Sequence, residues 1–447
     1  MRKVLFIAHY FPPLVSSGSF RPVKFVKYLE EFSWQATVIS TKPVDDSEID
    51  LTLSDDIPDN VCVLRILTPL PKPRDRLIRW LVKFAPKFGG SIQCAFDKSW
   101  QPSSTLLRVF RLFIKSILFP LTLIQYPPID PEFYWSMKII PPAVKLIRAD
   151  RMAVIFTTSA PWSSLLSGLL LKIVTRKPWV ADLRDPWTKD EHRYRIKGWR
   201  RVFDKFIEKL CLANADIVIG VTPKWLEDLK GITGEYSAAG KFELITNGYD
   251  ELDFCGIDLP GLKYDSEIII SHVGSMFQGG LEPLLFGIQQ VNGSLRGKIK
   301  FRFTGYMHPE DQALLDKSDV SKLIEFQPRR INHTQSVQQM RESHVLFLSL
   351  PFDYYPGKLF EYMRLGRPVL AVVPGGSAGE LIKQAGIGFV VDHAEPEHLS
   401  EVLQQIATDY DQFTKMYYQP DWGYISQFER RNLTRQLSEV LNRVVTQ

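Results

Sequence analysis

Cysteine is scarce in this chain. Cys62, Cys94, Cys211 and Cys255 are scattered, none at C-x-x-C spacing and none beside clustered histidines. That pattern argues against a disulfide framework or a zinc site and leads to the expectation of a reducing, cytoplasmic compartment. Unbroken apolar runs of membrane-spanning length are also missing. The nearest, residues 106–124, is interrupted by Arg108, Arg111, Lys115 and Pro120, and central charges with a proline do not suit a spanning helix. Near the start only Val4–Ala8 are consecutively apolar, too few for the core of a secretion signal, so they read as a first strand. Nucleic-acid recognition motifs and metal-ligand clusters are absent, so neither a nucleic-acid partner, nor a metal, nor a dedicated cofactor is expected.

What is present is enough apolar material for two cores. A chain of 447 residues, 45% hydrophobic and 12% aromatic, exceeds one typical core and fits two domains of roughly 200 residues each. The net charge of +5 is unevenly placed: between Val61 and Asp130 eleven Lys and Arg face three Asp. Aromatic residues, Trp80, Phe84, Phe88, Trp100, Phe110 and Phe113, are interleaved with those cations. Such a block fits a peripheral position on an anionic membrane surface, here the inner face. Arg108, Arg111 and Lys115 recur at helical steps and share one face. An interfacial helix, a flap over a cleft, or a basic helix packed on the first domain are the three readings of that stretch.

Strand and helix patterns alternate along the rest. Val4–Ala8, Ala36–Ser40, Ala153–Thr158, Trp179–Leu183 and Asp216–Val221 read as strands, with helices over Phe20–Phe32, Ser163–Thr175 and Trp199–Ala213. A second series follows the loop Leu252–Ser266: strands Ile268–Val273, Lys300–Phe303, Leu323–Phe326, Val345–Leu350 and Val369–Val373, with helices from Glu282 and over Thr334–Ser343. Alternation of this kind means parallel sheets covered on both faces. The expected division is residues 1–253, with the basic insertion at about 70–142, then 254–423, then a tail 424–447 whose Phe428, Leu433, Leu437, Val440 and Leu441 keep helical spacing.

The loop most suited to a ligand lies between Val345–Leu350 and Val369–Val373. Pro356-Gly357 makes a turn, and Lys358–Leu365 reads as a helix stopped by Gly366 and Pro368. A helix N-terminus then opens at the carboxyl end of a strand, where open parallel sheets bind ligands and free N–H groups favour phosphate. Lys358 adds a full charge, and Glu361, one turn further on, suits sugar hydroxyls better than phosphate. An ordinary strand-to-helix connection with solvated charges has the same composition. Three further loops of similar type are His9–Ser19 with Gly18, His272-Val-Gly274-Ser275, and Pro374-Gly-Gly-Ser-Ala-Gly-Glu380, the last reading as a capping box of Ser377 with Glu380.

At these segments, together with Thr157–Gly168, Trp179–Trp187 and Phe303-Thr-Gly305, the sequence resembles the retaining nucleotide-sugar glycosyltransferases of glycosyltransferase family 4. The resemblance implies the GT-B fold, an α/β arrangement of two Rossmann-like doubly wound domains facing across a cleft, with the C-terminal helix returning to the first. It implies a UDP- or GDP-sugar donor, a lipid-linked or polysaccharide acceptor, retention of anomeric configuration and no metal-binding acid motif. The second domain would hold the donor through Gly274, Ser275, Gly357, Lys358, Leu359 and Glu361, with Arg330 near the base edge and Gly18 closing the site from the first domain. In the family's E-x7-E pair Glu361 is the second acid, on the ribose, while the first position is Asp353, a shorter carboxylate. Many relatives carry an Arg and a Lys after the Gly-Ser turn; Met276-Phe-Gln-Gly-Gly-Leu281 stands there instead. Lys358 is therefore expected to be the phosphate cation. Asp185, Asp353 and Lys358 form the expected catalytic set, Asp185 orienting the acceptor or forming a structural pair with Arg184. A nucleotide-sugar 2-epimerase, a hydrolase and a degenerate binding protein are the alternatives on the same fold.

Overall fold

The computed structural model describes residues 1–14, 16–43, 49–68, 128–189, 196–234, 240–256, 267–291, 293–329, 331–395 and 397–446. The basic aromatic stretch with Arg108, Arg111 and Lys115, and Arg330, lie outside the described residues.

The first sheet contains β1 (Arg2–Ile7), β2 (Trp34–Thr41), β3 (Cys62–Ile66), β4 (Val154–Ser159), β5 (Trp179–Leu183), β6 (Ile217–Gly220) and β7 (Phe242–Leu244). The second contains β8 (Ile268–Val273), β9 (Ile299–Thr304), β10 (Ile324–Gln327), β11 (Val345–Ser349), β12 (Val369–Val373) and β13 (Gly388–Asp392). Their orders are β3-β2-β1-β4-β5-β6-β7 and β10-β9-β8-β11-β12-β13. Every strand pair is parallel. Both orders reverse direction beside the first strand of the sheet, at β1/β4 and β8/β11, which opens a crevice at the strands' carboxyl ends. Central strands β4, β11 and β12 are buried along their whole length, as a sheet covered on both faces requires.

Each sheet has a separate hydrophobic cluster on either face. Helix Ser163–Thr175 presses onto β5 at Gly168, where a Cβ would fall 2.3 Å from the Trp179 ring. The helix Arg430–Thr446 returns to the first domain, burying Leu433, Leu437, Val440, Leu441 and Val444 against Val4, Phe6 and Val38. Burial of those side chains contributes roughly 10 kcal/mol by area. The outward crossing near Tyr249 and the return crossing near Phe428 lie side by side. Tyr249 N donates to Phe428 O (3.1 Å) and Arg430 N to Tyr249 O (2.7 Å). A Cβ on Gly248 would sit 2.0 Å from Phe428 O, so glycine permits the approach.

Three strands were not anticipated: β3, β7 and β13. All are sheet edges, half-buried, and β7 has only 3 residues. The expected Ser377–Glu380 capping box is a correction. Ser377 is the first helical residue after Gly376, whose φ is +146°, and its hydroxyl bonds Asp353 instead.

Candidate functional site

Between the domains lies a cleft of about 1280 Å³. Its second-domain wall begins at the ends of β8 and β9. Gly274 has φ +104° and Gly305 φ +137°, and a Cβ on Gly305 would fall 2.2 Å from Gly274 O, so the two loops touch through glycine backbone. Helix Gly357–Arg364 opens beside them with no side chain capping it. Pro356, Gly357 and Lys358 all line the cleft, leaving first-turn amides to face it.

Lys358 Nζ lies 2.9 Å from His272 Nε2 and 3.1 Å from Ser275 O. His272 Nδ1 is 3.1 Å from Phe347 O. A carbonyl only accepts, so Nδ1 carries the proton and Nε2 accepts from Lys358. Burial, and secondarily the Lys358 charge, hold the His272 pKa down to about 3, so the ring is neutral. Burial brings Lys358 itself down to about 7 against the opposing pull of Glu361. An anion arriving here restores the ammonium.

Glu361 Oε1 lies 2.9 Å from His333 Nε2, and His333 Nδ1 is 3.9 Å from Asp253. Burial disfavours charge on His333, but the Glu361 bond and the two carboxylates outweigh it and raise its pKa. His333 begins a helix fixed by the reciprocal Asn332–Gln335 capping box. Its ring meets Phe20 of the first domain at 5.3 Å.

The first-domain wall rests on buried charges. Arg21 makes a bidentate contact with Asp182 and donates to the carbonyls of Ile245 (2.8 Å) and Thr246 (2.5 Å). Lys24 Nζ sits 2.7, 2.5 and 2.8 Å from Asp56, Asp250 and Asp253. Those three carboxylates converge closely enough to hold a metal ion, although the sequence displayed no ligand cluster. The ammonium already stands at their centre, its pKa raised because the three acids outweigh burial. Arg184 donates to the carbonyls of Ser159 (3.0 Å) and Ala160 (2.5 Å). Arg430, 4% exposed, lines the same cleft with Nε and Nη1 unbonded among the described residues. Burial, with Arg21 nearby, holds its pKa down to about 9.

Of the residues expected from sequence, Asp185, Gly274, Ser275, Gly357, Lys358 and Glu361 line the cleft together. Leu359 does not: its side chain is in the core and its amide donates to Pro356 O (3.0 Å). Gly18 supports the wall instead of lining it, since a Cβ there would meet the Arg184 guanidinium at 2.4 Å. Asp353 faces the helix Ser377–Ala385, accepting from the Ser377 hydroxyl at 2.9 Å, and is not among the residues lining the cleft. His333, Asp250 and Arg430 were missed. Only His333 carried a local signal, the Asn-His-Thr-Gln helix start.

Two doubly wound domains with a returning C-terminal helix constitute the GT-B fold, and solved structures agree. HepE of Anabaena, in complex with UDP and glucose, superimposes with a TM-score of 0.64 at 15% identity, covering 99% of this chain and 100% of that one. Sucrose-phosphate synthase of Thermosynechococcus elongatus gives 0.64 at 14%, covering 100% of each. The lipopolysaccharide outer core galactosyltransferase WaaB gives 0.60 at 12%, covering 99% of each. Residues 267–409, most of the second domain, match the family Glycosyl transferases group 1. No curated protein sequence matches the chain.

Proposed function

We propose that the protein is a retaining glycosyltransferase of family 4 type. It would move a sugar from a UDP- or GDP-sugar to a hydroxyl of a lipid-linked or polysaccharide acceptor, in cell-surface or exopolysaccharide synthesis at the cytoplasmic face of a membrane. The observation that carries the reading is Lys358 at an uncapped helix N-terminus, with Glu361 one turn on, in the cleft wall formed by the region matching group 1. The complex of HepE with UDP and glucose supports a uridine donor. No described helix is long and apolar enough to cross a membrane.

In the reaction the bond between the anomeric carbon and the diphosphate oxygen breaks, and its electron pair leaves with the phosphate. Lys358, which takes up a proton from solvent as the anion binds, and the amides of Gly357 and Lys358 stabilise that developing charge. The acceptor oxygen bonds the anomeric carbon on the same face and gives up its proton to the departing phosphate, with Asp185 orienting it from the opposite wall. Gly274 and Ser275 cradle the diphosphate, and Glu361 takes the ribose hydroxyls. A non-catalytic nucleotide-sugar binder is the second reading, favoured by Asp353 being turned to a helix cap.

A panel of UDP- and GDP-sugars, followed by hydrolysis and thermal shift, tests the reading. One donor should be turned over slowly and raise the melting temperature; binding without turnover in the presence of glycan acceptors would favour the binder. Lys358→Ala and Glu361→Ala should each abolish calorimetric UDP or GDP binding, and unchanged binding in both would move the site elsewhere.

A further inference from the structure

The helix Trp199–Asn214 has two apolar faces. Ile207, Cys211 and Leu212 pack into the first domain. Trp199, Val202, Phe203, Phe206 and Leu210 recur at steps of three and four on the other side, 62, 70, 36, 62 and 37% exposed. A helix facing water on that side would carry polar residues there. Lys172 Nζ donates to Asn214 O (2.7 Å), which brings the neighbouring helix end alongside, and that end exposes Ile173 and Val174 at 63 and 50%. The helical spacing alone makes the stripe one continuous face and not a scatter of single apolar residues.

Charge identifies what covers it. Lys205 and Lys209 stand exposed on the flank of the stripe, with Lys197 just before the helix. The two acids of the helix, Asp204 and Glu208, are fully buried. Glu208 accepts from Thr188 N and is pushed by burial up to about 7. Apolar and aromatic residues beside cations, with no exposed acid on the helix, complement an anionic lipid surface. We propose that Trp199–Asn214 lies flat on an anionic bilayer, the stripe in the acyl boundary and the lysines at the headgroups. The surface is independent of the donor reading, because lipid binding needs no nucleotide.

The full chain is mixed with phosphatidylcholine vesicles with and without phosphatidylglycerol and sedimented. It should pellet with the anionic vesicles only, and Trp199→Ser/Phe206→Ser should lower that binding at least tenfold at unchanged melting temperature. Lys205→Glu/Lys209→Glu should do the same and leave hydrolysis of soluble donor unaltered. Failure to pellet, or pelleting indifferent to both double variants, overturns the proposal. So does a dimer in light scattering that the Trp199→Ser/Phe206→Ser variant dissolves, since a second copy would then be the occupant.

An independent observation concerns Arg430. A guanidinium nine-tenths buried, lining the cleft and without partners for Nε or Nη1 among the described residues, is costly unless a ligand meets it. Its charged neighbours are Arg21, which Asp182 already pairs, and then Asp250, Glu361 and Asp253, a setting that favours hydroxyls over a second full anion. Resting on the nucleotide-sugar reading, we infer that Arg430 donates to the ribose hydroxyls whose protons Glu361 accepts. Arg430 belongs to the helix packed on the first domain and Glu361 to the second, so one ribose would bridge both.

Calorimetry with UDP and GDP, and with their 2′,3′-dideoxy forms, separates the outcomes. Arg430→Met should weaken the ribonucleotide about tenfold, leave the dideoxy form unchanged and not lower the melting temperature. Equal loss for both forms, or no loss, overturns the ribose contact while leaving the donor site in place. A parent protein that binds neither UDP nor GDP overturns both.

Discussion

Lys358 gives the site a measurable proton signature. Half-buried beside neutral His272, it is pulled by desolvation down to about 7 in the free protein. At pH 7.5 roughly three-quarters of the molecules therefore carry a neutral amine, and a diphosphate that restores the ordinary lysine value draws roughly 0.75 proton from solvent. At pH 6 the amine is already charged and the uptake falls to about 0.1 by the same reasoning. A nucleotide sugar is the titrant of choice, because its diphosphate has no ionisation near neutral pH. Calorimetry in buffers of different ionisation enthalpy gives the proton number as a slope. Affinity should also fall, by up to about tenfold per pH unit above the free-state value. Any binding that remains in Lys358→Met should carry no uptake. Zero uptake at pH 7.5, or an equal slope in the variant, would refute the assignment of Lys358 as the phosphate cation.

His333, raised by Glu361 and Asp253 against burial, stabilises the fold below the ordinary histidine value of 6.5, and that contribution fades as pH rises through its higher folded value. The stability gap between the parent and His333→Gln in urea melts should therefore be wider at pH 6 than at pH 8.5; a constant gap would contradict the pairing. Asp182→Asn leaves Arg21 buried without its carboxylate and should cost roughly 3–5 kcal/mol in urea unfolding. A loss below about 1 kcal/mol would mean the cluster is solvated. Asp353→Ala removes the acceptor of the Ser377 hydroxyl and of the first-turn Ala378 amide, and should cost about 1 kcal/mol with turnover retained. A hundredfold fall in kcat at unchanged stability would return Asp353 to the chemistry.

The interior of the fold was legible because β4, β11 and β12 are unbroken branched or aromatic runs bounded by turn residues. The edge strands β3, β7 and β13 are half-buried and lack that contrast. Lys358 and Glu361 were legible for a related reason: a strand, a Pro-Gly turn and a short helix place them within one local segment. His333 reaches Glu361 from another helix, and Asp250 meets Lys24 from a position 226 residues away. Arg430 reaches the cleft because the return crossing is hydrogen-bonded to Tyr249. No local pattern encodes such meetings. For Asp353, spacing fixes its place on the loop but not the direction of its carboxylate, which the buried Ser377 hydroxyl and Ala378 amide set.

The paired crossings at Tyr249 and Phe428 join the domains at one tied point. Two separated connections would let the domains twist and slide, whereas a single tied pair reduces their relative motion to a swing about one short axis. A molecule seated on the Lys358 wall and one seated on the Asp185 wall would bias that same swing. Ligands that favour the same position of that swing would raise each other's affinity by a common factor, even where they never touch.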